Sequence, residues 1–398
     1  MIKDCNNNIY IDLSIAHING GFVSGAGEYA LKVCSLLIKE NVNLLIGLSD
    51  KNKYPSLSWL LDNQTVIKYS DFTMLSEILV KRNINTVYFP QLLDEHILLK
   101  LPESIRVVAT LHDLGNILEY QLNKFKIPGY FYEMKRRQLF KHWLRKKIYS
   151  EDFHEVVKKQ TDVLNHFKNL ELITVSHFSK ATIRYYIPDY KKNIEVLYSP
   201  QKKSKISDSE GIDKSIKDKF KIEEHKYFLF CNVSRPRKNC TIAILALDDF
   251  FSTVSTNYKA VLVGSCPEYS NFILKQLKNK DKFVFMPYLQ SEKLEDLYKF
   301  AHLFVFPSVL EGFGYPPIEA MKYGTLCACS NVCSIPEVCQ NGAILFNPYD
   351  VKSIKIAYHL SLDKKFADYK REEAKVAYKN ISARQEGDLE ELIKIIKK

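Results

Sequence analysis

The sequence predicts an α/β protein with two domains, each built around a parallel sheet, and two observations support this prediction. Short apolar runs rich in Val, Ile, Leu and Phe alternate with stretches of helical periodicity, which is typical of βαβ units. The chain has 398 residues, which is more than one hydrophobic core usually organises. We therefore expect two sheets of similar construction, one in each half of the chain.

A polar stretch at residues 201–219 separates the two series of predicted strands. It is rich in charged residues and has almost no large apolar side chain, which indicates a connection between domains. We predict a first domain over residues 1–200, a second over residues 201–375, and a C-terminal helix over residues 376–398.

The composition indicates in which compartment the protein acts and which kinds of partner it binds. No apolar run is long enough to cross a bilayer, and the first residues lack the pattern of a secretion signal, so we expect a cytoplasmic protein. The net charge of +11 favours an anionic partner, either a phosphorylated substrate, an acidic membrane surface or nucleic acid. The cysteines lack the spacing of a zinc site, so we expect no metal, although four of them cluster: Cys327, Cys329, Cys333 and Cys339.

The most informative segment is residues 305–324, where an apolar run leads into a glycine-containing loop and then a helix. Gly312 and Gly314 lack side chains where a ligand can approach the backbone, and Pro316 or Pro317 suits a first helical turn. Unpaired amides at a helix start bind phosphate. Because the loop follows a predicted strand, it lies where α/β sheets bind nucleotides.

Two glutamates, Glu311 and Glu319, bracket this loop. Glu319 falls on the predicted helix, where its carboxylate can accept hydrogen bonds from a ribose diol, and Glu311 lies at the mouth of the loop near the transferred group. The alternative is that both residues stabilise only the start of a helix, a position that carboxylates favour electrostatically.

The segment EGFGYPPIEAMKYG resembles the E-x7-E motif of glycosyltransferase family 4, and residues 330–338 resemble the next loop of that family. The resemblance implies the GT-B fold, in which two Rossmann-like domains face a central cleft, a C-terminal helix that returns to the first domain, and a retaining reaction. It implies that Glu319 binds the nucleotide ribose and that Glu311 contacts the donor sugar. The remaining donor-binding residues would be Gly312, Phe313, Gly314, Tyr315 and Pro316.

The turn SRPRKN at residues 234–239 resembles the EPRKN loop of the same family. The resemblance implies that Arg237 and Lys238 neutralise the donor diphosphate, where fixed cations stabilise the charge on the leaving group. Arg235 stands where the family often has glutamate. Without the resemblance, an ordinary basic surface turn explains the pattern.

The first half offers weaker matches. His112 follows a predicted strand and resembles a His-Asp strand end of the family, which implies a contact with the sugar hydroxyls; a lone histidine is otherwise a structural residue. Gly25 and Gly27, with Ala30, satisfy a dinucleotide-binding fingerprint, but the first glycine does not directly follow the strand, which disfavours a dehydrogenase. Both glycines fit better to the family's G-x-G-x-Y loop near the donor phosphates.

A basic, aromatic segment lies between residues 124 and 149. Arg137, Lys141 and Arg145 recur every fourth residue, which predicts one cationic face of an amphipathic helix. The functional interpretation is contact with an anionic membrane surface beside a lipid-linked acceptor. The equally supported alternative is a solvated helix that packs on the first sheet.

Together the motifs predict a hexosyltransferase that needs no cofactor besides its nucleotide-diphosphate sugar donor. The EGFGYPP wording resembles mannosyl- and rhamnosyltransferases of bacterial surface polysaccharide, which implies a glycan or lipid-linked glycan acceptor. Two alternatives stay open: an epimerase-like enzyme of the same fold that acts on sugar nucleotides, and a non-catalytic protein that binds nucleotide sugars or glycans. Nucleic acid is not expected, because no RNA- or DNA-binding module surrounds the basic segment.

Overall fold

The computed structural model describes residues 9–19, 22–55, 57, 64–124, 153–201 and 209–398. These residues form two compact units. The first contains the described residues up to Leu114, residues 153–201 and Ala383–Lys398, and the second contains residues 115–124 and 209–382. Residues 115–124 thus group with the second unit, and the C-terminal helix begins at Lys364, before the boundary at residue 376 that the sequence suggested.

The first unit is built on a seven-stranded parallel sheet. A small antiparallel hairpin follows the first strand of this sheet in the sequence. Its strands are β1 (Ile9–Asp12), the hairpin strands β2 (Ile18–Asn19) and β3 (Phe22–Val23), β4 (Leu44–Ser49), β5 (Thr65–Tyr69), β6 (Thr86–Phe89), β7 (Arg106–Thr110), β8 (Leu170–Thr174) and β9 (Ile194–Val196). The order in the sheet is β5-β4-β1-β6-β7-β8-β9, so the strand order reverses between β1 and β6.

The second unit is built on a six-stranded parallel sheet. Its strands are β10 (Tyr227–Cys231), β11 (Lys259–Val263), β12 (Phe283–Met286), β13 (Leu303–Phe306), β14 (Cys327–Ser330) and β15 (Ala343–Phe346). The order β12-β11-β10-β13-β14-β15 is the 3-2-1-4-5-6 order of the Rossmann fold, and it reverses between β10 and β13. Ligands of such sheets bind at the carboxyl ends of the strands at this reversal.

Helices connect consecutive parallel strands. In the first unit the described helices are α1 (Gly25–Lys39), α2 (Phe72–Lys81), α4 (Phe153–His166) and α5 (His177–Tyr186); α3 (Gly115–Lys124) lies between α2 and α4 in the chain and groups with the second unit. The second unit has α6 (Lys214–Phe220), α7 (Cys240–Thr253), α8 (Pro267–Leu274), α9 (Ser291–Lys299), α10 (Tyr315–Met321), α11 (Ile335–Cys339) and α12 (Val351–Leu362). The last helix, α13 (Lys364–Lys397), is continuous.

Each unit has its own apolar core. The second core is centred on Phe228, Phe230 and Phe250, which are fully buried. The first core packs β1 and α1 against the last turns of α13, where Leu392 and Ile396 are buried. The apolar residues near the C-terminus therefore complete the hydrophobic core of the first unit.

The alternating apolar runs form the strands of two parallel sheets, one in each unit, which confirms two parallel α/β domains. Two features were missed. The hairpin of β2 and β3 occupies the connection after β1, and β5 forms an edge of the first sheet with mostly exposed side chains. An edge strand that buries only alternate residues lacks the continuous apolar run of a central strand.

Candidate functional site

Two loops meet at the strand-order reversal of the second sheet. The first follows β10 and contains a short turn at Pro236–Lys238; the second follows β13 and leads to α10. They are joined through the carbonyl oxygen of Arg237, which accepts hydrogen bonds from the amide of Val309 at 3.0 Å and from Ser308 Oγ at 3.1 Å. The two motifs that the sequence singled out separately therefore form one site.

The centre of the site is an ion pair between Lys238 Nζ and Glu311 Oε1. Ser308 Oγ donates a second hydrogen bond to the same oxygen at 2.6 Å, and Lys238 Nζ lies 4.9 Å from the centre of the Phe306 ring. Each side chain of the pair is only 14% exposed, so water screens the pair weakly. The ammonium and the carboxylate are thus fixed in position by neighbours from both loops.

The loop between Glu311 and α10 is shaped by a buried serine. Ser334 Oγ lies 2.8 Å from the carbonyl oxygen of Phe313 and 3.2 Å from that of Glu311, and its hydroxyl can donate to either. Gly314 has φ +104°, a conformation that side-chain-bearing residues rarely adopt. Helix α10 then begins at Tyr315 and has only seven residues. Because Pro316 has no amide hydrogen, its backbone cannot donate a hydrogen bond to a ligand.

Glu319 lies on α10, and a neighbouring helix holds its carboxylate. Tyr298 of α9 is buried and donates a hydrogen bond from its hydroxyl to Glu319 Oε2 at 3.2 Å. Burial and the negative charge of Glu319 raise the pKa of Tyr298, so the phenol keeps its proton. Tyr298 was not among the residues predicted from the sequence, because a lone tyrosine on an amphipathic helix carries no signal of such a role.

Arg237 is paired as well. Its guanidinium forms an ion pair with Glu119 on α3, and both side chains are partly exposed. Glu119 was not predicted from the sequence, where more than a hundred residues separate it from Arg237. Arg237 and Lys238 are thus adjacent cations with different acidic partners.

His112 follows β7 in the first unit, and burial lowers its pKa to about 4. Its Nε2 lies 3.0 Å from the carbonyl oxygen of Pro90. A carbonyl oxygen only accepts, so Nε2 carries the proton and Nδ1 is a hydrogen-bond acceptor. The edge of the Tyr29 ring packs on the imidazole with 4.8 Å between centroids, and Ser179 Oγ donates to the His112 carbonyl oxygen at 2.9 Å. The imidazole is therefore neutral and fixed in orientation.

Gly25 and Gly27 lie in the first turn of α1, which Ser24 caps by accepting a hydrogen bond from the Gly27 amide at 3.1 Å. A Cβ atom on Gly27 would lie 2.4 Å from Val23 Cγ1 and 2.9 Å from the Ile15 carbonyl oxygen, whereas one on Gly25 would meet nothing within 4 Å. Because the hairpin separates β1 from α1, the glycines do not form the tight strand-to-helix turn of a dinucleotide-binding fingerprint.

The other sequence predictions concern the membrane and metals. Arg137, Lys141 and Arg145 lie outside the described residues. In the part of the chain that the structure describes, no helix is both long and apolar enough to cross a membrane. The same residues contain no group of three or more His, Cys, Asp or Glu side chains that could hold a metal ion, and Cys327, Cys329 and Cys339 are buried free thiols.

A comparison with protein families identifies the second unit. Residues 212–378 match the family described as glycosyl transferases group 1. The matched range includes Lys238 and both glutamates. The second unit therefore carries a group 1 glycosyltransferase domain.

Curated relatives match mainly over this part. The chain is 35% identical over 146 residues to the serotype-specific mannosyltransferase WbdA of Escherichia coli, covering 35% of this chain and 18% of the relative. It is 33% identical over 186 residues to the O-antigen chain mannosyltransferase RfbU of Salmonella typhimurium strain LT2, covering 46% of this chain and 48% of the relative. The matched residues span less than half the length of each of these relatives.

Solved structures resemble the whole chain at low sequence identity. A glycosyltransferase from Rickettsia africae superposes with a TM-score of 0.66 at 15% identity, covering 98% of both chains. Anabaena Alr3699/HepE in complex with UDP and glucose superposes with a TM-score of 0.64 at 15% identity, covering 97% of this chain and 99% of the other. This likeness concerns the fold, which is GT-B.

Proposed function

We propose that the chain is a retaining glycosyltransferase of family 4 that transfers a hexose-type sugar from a nucleotide-diphosphate sugar. The supporting observation is the joined pair of loops at the strand-order reversal of the second sheet, which brings Lys238, Glu311 and the Glu319 helix to one edge. The matched glycosyltransferase domain covers the same residues.

We assign the basic turn at residues 234–239 to binding of the donor diphosphate. Arg237 and Lys238 are adjacent and positively charged, and Gly314 lies on the facing loop. In this proposal the cations stabilise the negative charge that grows on the departing diphosphate, and because they are fixed beforehand they need no reorganisation. Glu319 accepts hydrogen bonds from the ribose hydroxyls, and Glu311 accepts one from a hydroxyl of the transferred sugar.

His112 would act as a further acceptor. Its neutral imidazole has the proton on Nε2, so Nδ1 can accept a hydrogen bond from a sugar hydroxyl. The role is one of orientation: a group with a pKa of about 4 in the free protein is a weak general base at neutral pH.

In the retaining reaction, the bond between the anomeric carbon and the diphosphate oxygen breaks, and the acceptor oxygen bonds to that carbon on the same face. The acceptor hydroxyl proton passes to the departing phosphate oxygen, so we name no protein side chain as the base. Arg237 and Lys238 supply the positive potential for this step, and we propose no metal or further cofactor.

The acceptor and the setting are proposed from the relatives. WbdA is named as a serotype-specific mannosyltransferase and RfbU as an O-antigen chain mannosyltransferase. We propose a glycan or lipid-linked glycan acceptor in the assembly of bacterial surface polysaccharide, on the cytoplasmic side of the membrane. Arg137, Lys141 and Arg145 would attach the protein peripherally to anionic lipids. Unchanged flotation with anionic liposomes after reversing all three charges to glutamate would contradict this attachment.

The experiment that tests the proposed activity uses UDP- and GDP-linked glucose and mannose with a lipid-linked glycan extract as acceptor. We expect a glycoside whose anomeric configuration, read by NMR, equals that of the donor. Glu319→Gln should weaken nucleoside diphosphate binding, whereas Glu311→Gln should lower kcat and leave that binding nearly unchanged. Full transfer rates in the double variant would defeat the proposal, and a free epimerised sugar as product would favour the epimerase alternative.

A further inference from the structure

Helix α9 holds helix α10 through polar contacts as well as through packing. Tyr298 donates to Glu319 Oε2 at 3.2 Å. One turn earlier on α9, Glu295 accepts a hydrogen bond from Tyr323 at 2.5 Å and pairs with Lys322 at 3.5 Å, just after α10 ends. The side chains of Lys322 and Glu295 are about 10% exposed, so this second contact is shielded from solvent. The position of α10 is therefore tied to α9 both at Glu319 and just beyond the end of the helix.

Tyr298 is itself fixed at both ends. Thr325 Oγ1 donates to the Tyr298 carbonyl oxygen at 2.7 Å, and the Tyr298 ring packs edge-on against Phe304 of β13 with 5.1 Å between centroids. The whole residue is 1% exposed. A ligand at the site cannot contact Tyr298 without displacing its neighbours, so Tyr298 acts on a ligand through the residues that it contacts, of which Glu319 belongs to the predicted donor site.

We infer that Tyr298 is a positioning residue for Glu319, and that its hydroxyl orients this carboxylate to accept hydrogen bonds from the two ribose hydroxyls of a nucleoside diphosphate. The inference rests on the proposed function, and it deepens that function by naming what makes the site selective for ribose.

The physical reason is orientation. A glutamate side chain has three rotatable bonds, and two hydroxyls on adjacent ribose carbons are accepted well by only a narrow range of carboxylate orientations. A donor with a fixed position reduces the rotamers that remain, so less entropy is lost when the ribose binds. Because the buried phenol keeps its proton, it acts only as a donor to the carboxylate.

The test is the variant Tyr298→Phe, which keeps the ring and removes the hydroxyl. Dissociation constants are measured by calorimetry for whichever of UDP, GDP, ADP and CDP the wild type binds most tightly, and for its 2′,3′-dideoxy counterpart. We expect the variant to bind the ribose form about three- to tenfold more weakly, because a flexible Glu319 side chain must then be ordered when the ribose binds. The dideoxy form should bind equally to both proteins, because it offers Glu319 no hydroxyl.

The matched control is Tyr358→Phe. Tyr358 is also buried in the second unit, and its hydroxyl donates to the Ala243 carbonyl oxygen at 2.8 Å in the core. This variant should lose thermal stability but keep the ratio of the two dissociation constants. Circular dichroism checks that both variants fold.

The inference is overturned if Tyr298→Phe binds the ribose form as tightly as the wild type or tighter. It is equally overturned if both nucleotide forms weaken by the same factor, because that outcome means a purely structural role. Glu319→Gln distinguishes failure of the inference about Tyr298 from failure of the proposed function. If it abolishes the preference for ribose and Tyr298→Phe does not, only the inference fails. If it leaves the preference intact, or if none of the four diphosphates binds, the proposed function fails as well.

Discussion

The carboxyl edges of the two sheets present their polar groups in opposite ways. In the second unit, Lys238, Glu311 and Arg237 are charged and form ion pairs with part of each side chain in contact with solvent. In the first unit, His96 and His112 are kept neutral by burial, which lowers the pKa of each to about 4. The polar groups of the second edge are therefore charged and partly solvated, whereas the two imidazoles of the first are neutral.

The two edges also differ in how the sequence assembles them. The charged site comes from two short segments, residues 234–239 and 305–324, each placed directly after a strand. In the first unit, Asp12 is the centre of a buried cluster in which Tyr10 and Tyr69 donate to its carboxylate at 3.2 and 2.8 Å, together with the amide of Ser14 at 2.7 Å. Asp12 and Tyr69 in this cluster are 57 positions apart in the sequence. Local segments leave a motif in the sequence, and dispersed clusters leave none.

The largest expected effect is at the charged edge. Lys238→Ala removes one of the two cations that we propose for the leaving group, so we expect kcat to fall by about 10²–10³-fold, as for loss of one fixed donor at a developing charge. The measurement is steady-state transfer with the donor that the wild type uses.

Lys282→Ala is the control for this variant. Lys282 Nζ also lies 4.9 Å from the centre of a phenylalanine ring, that of Phe251, and it donates to the Thr256 carbonyl oxygen at 2.8 Å away from the loops of the site. Its kcat should stay within a factor of about two, because it holds no position near the reacting groups. Equal losses in the two variants would mean that Lys238 acts only through folding.

A large effect on stability is expected at the first edge. Asp12→Ala leaves the Tyr10 and Tyr69 hydroxyls without their acceptor, and each unpaired buried group has a cost, so we expect a loss of about 3 kcal/mol in unfolding free energy. Asp12→Asn keeps one acceptor oxygen and should lose less. Urea titration measures both, and nucleoside diphosphate binding should be unchanged in the folded fraction. A weakened diphosphate affinity would mean that the carboxyl edge of the first sheet also contributes to diphosphate binding.

Much of the fold was predictable because central parallel strands are continuous apolar runs. The central strands of the second sheet are such runs, since β10, β13 and β14 are buried at every residue. The edge strand β5 was missed because Thr65 and Val66 are exposed and only alternate residues pack inward. The hairpin after β1 was missed because strands of two residues leave no periodic pattern.

The residues of the candidate site also divide into those that the sequence identifies and those that it does not. Glu311, Glu319 and the loop between them were identifiable, because strand, glycine, proline and acid occur together over a few positions, and Lys238 lies in a short basic turn after a strand. Tyr298 and Glu119 were not, since each contacts a site residue from a helix that lies outside the two motifs. For Gly25 and Gly27 the sequence predicted one shared role, whereas the structure gives them different surroundings.

That difference between the glycines predicts a smaller, local effect. Gly27→Ala introduces a Cβ 2.9 Å from the Ile15 carbonyl oxygen, so α1 must shift, and we expect a loss of about 2 kcal/mol in unfolding free energy. Gly25→Ala places its methyl group in open space and should change stability by less than about 1 kcal/mol. Thermal and urea denaturation compare the two. If Gly25→Ala nevertheless weakens donor binding, the loop contacts the donor as its sequence suggests; if neither variant changes stability, Gly27 does not limit the packing of α1.

The smallest effect is a pH dependence that belongs to the first edge. His96 Nδ1 accepts from the Leu93 amide at 3.1 Å, and burial lowers the His96 pKa to about 4, partly opposed by the charge of Asp12. Between pH 6.5 and 4 the unfolded chain binds a proton at this position and the folded chain does not, so acidification lowers stability in that window. His96→Asn keeps an acceptor near Nδ1 and removes the titration. We expect the unfolding free energy of the variant to depend less steeply on pH between 6.5 and 5, by about 1 kcal/mol per pH unit. If the curves of unfolding free energy against pH are parallel for the two proteins, His96 has an ordinary pKa in the folded state. The polar groups of the first edge would then be charged at acidic pH, like those of the second edge.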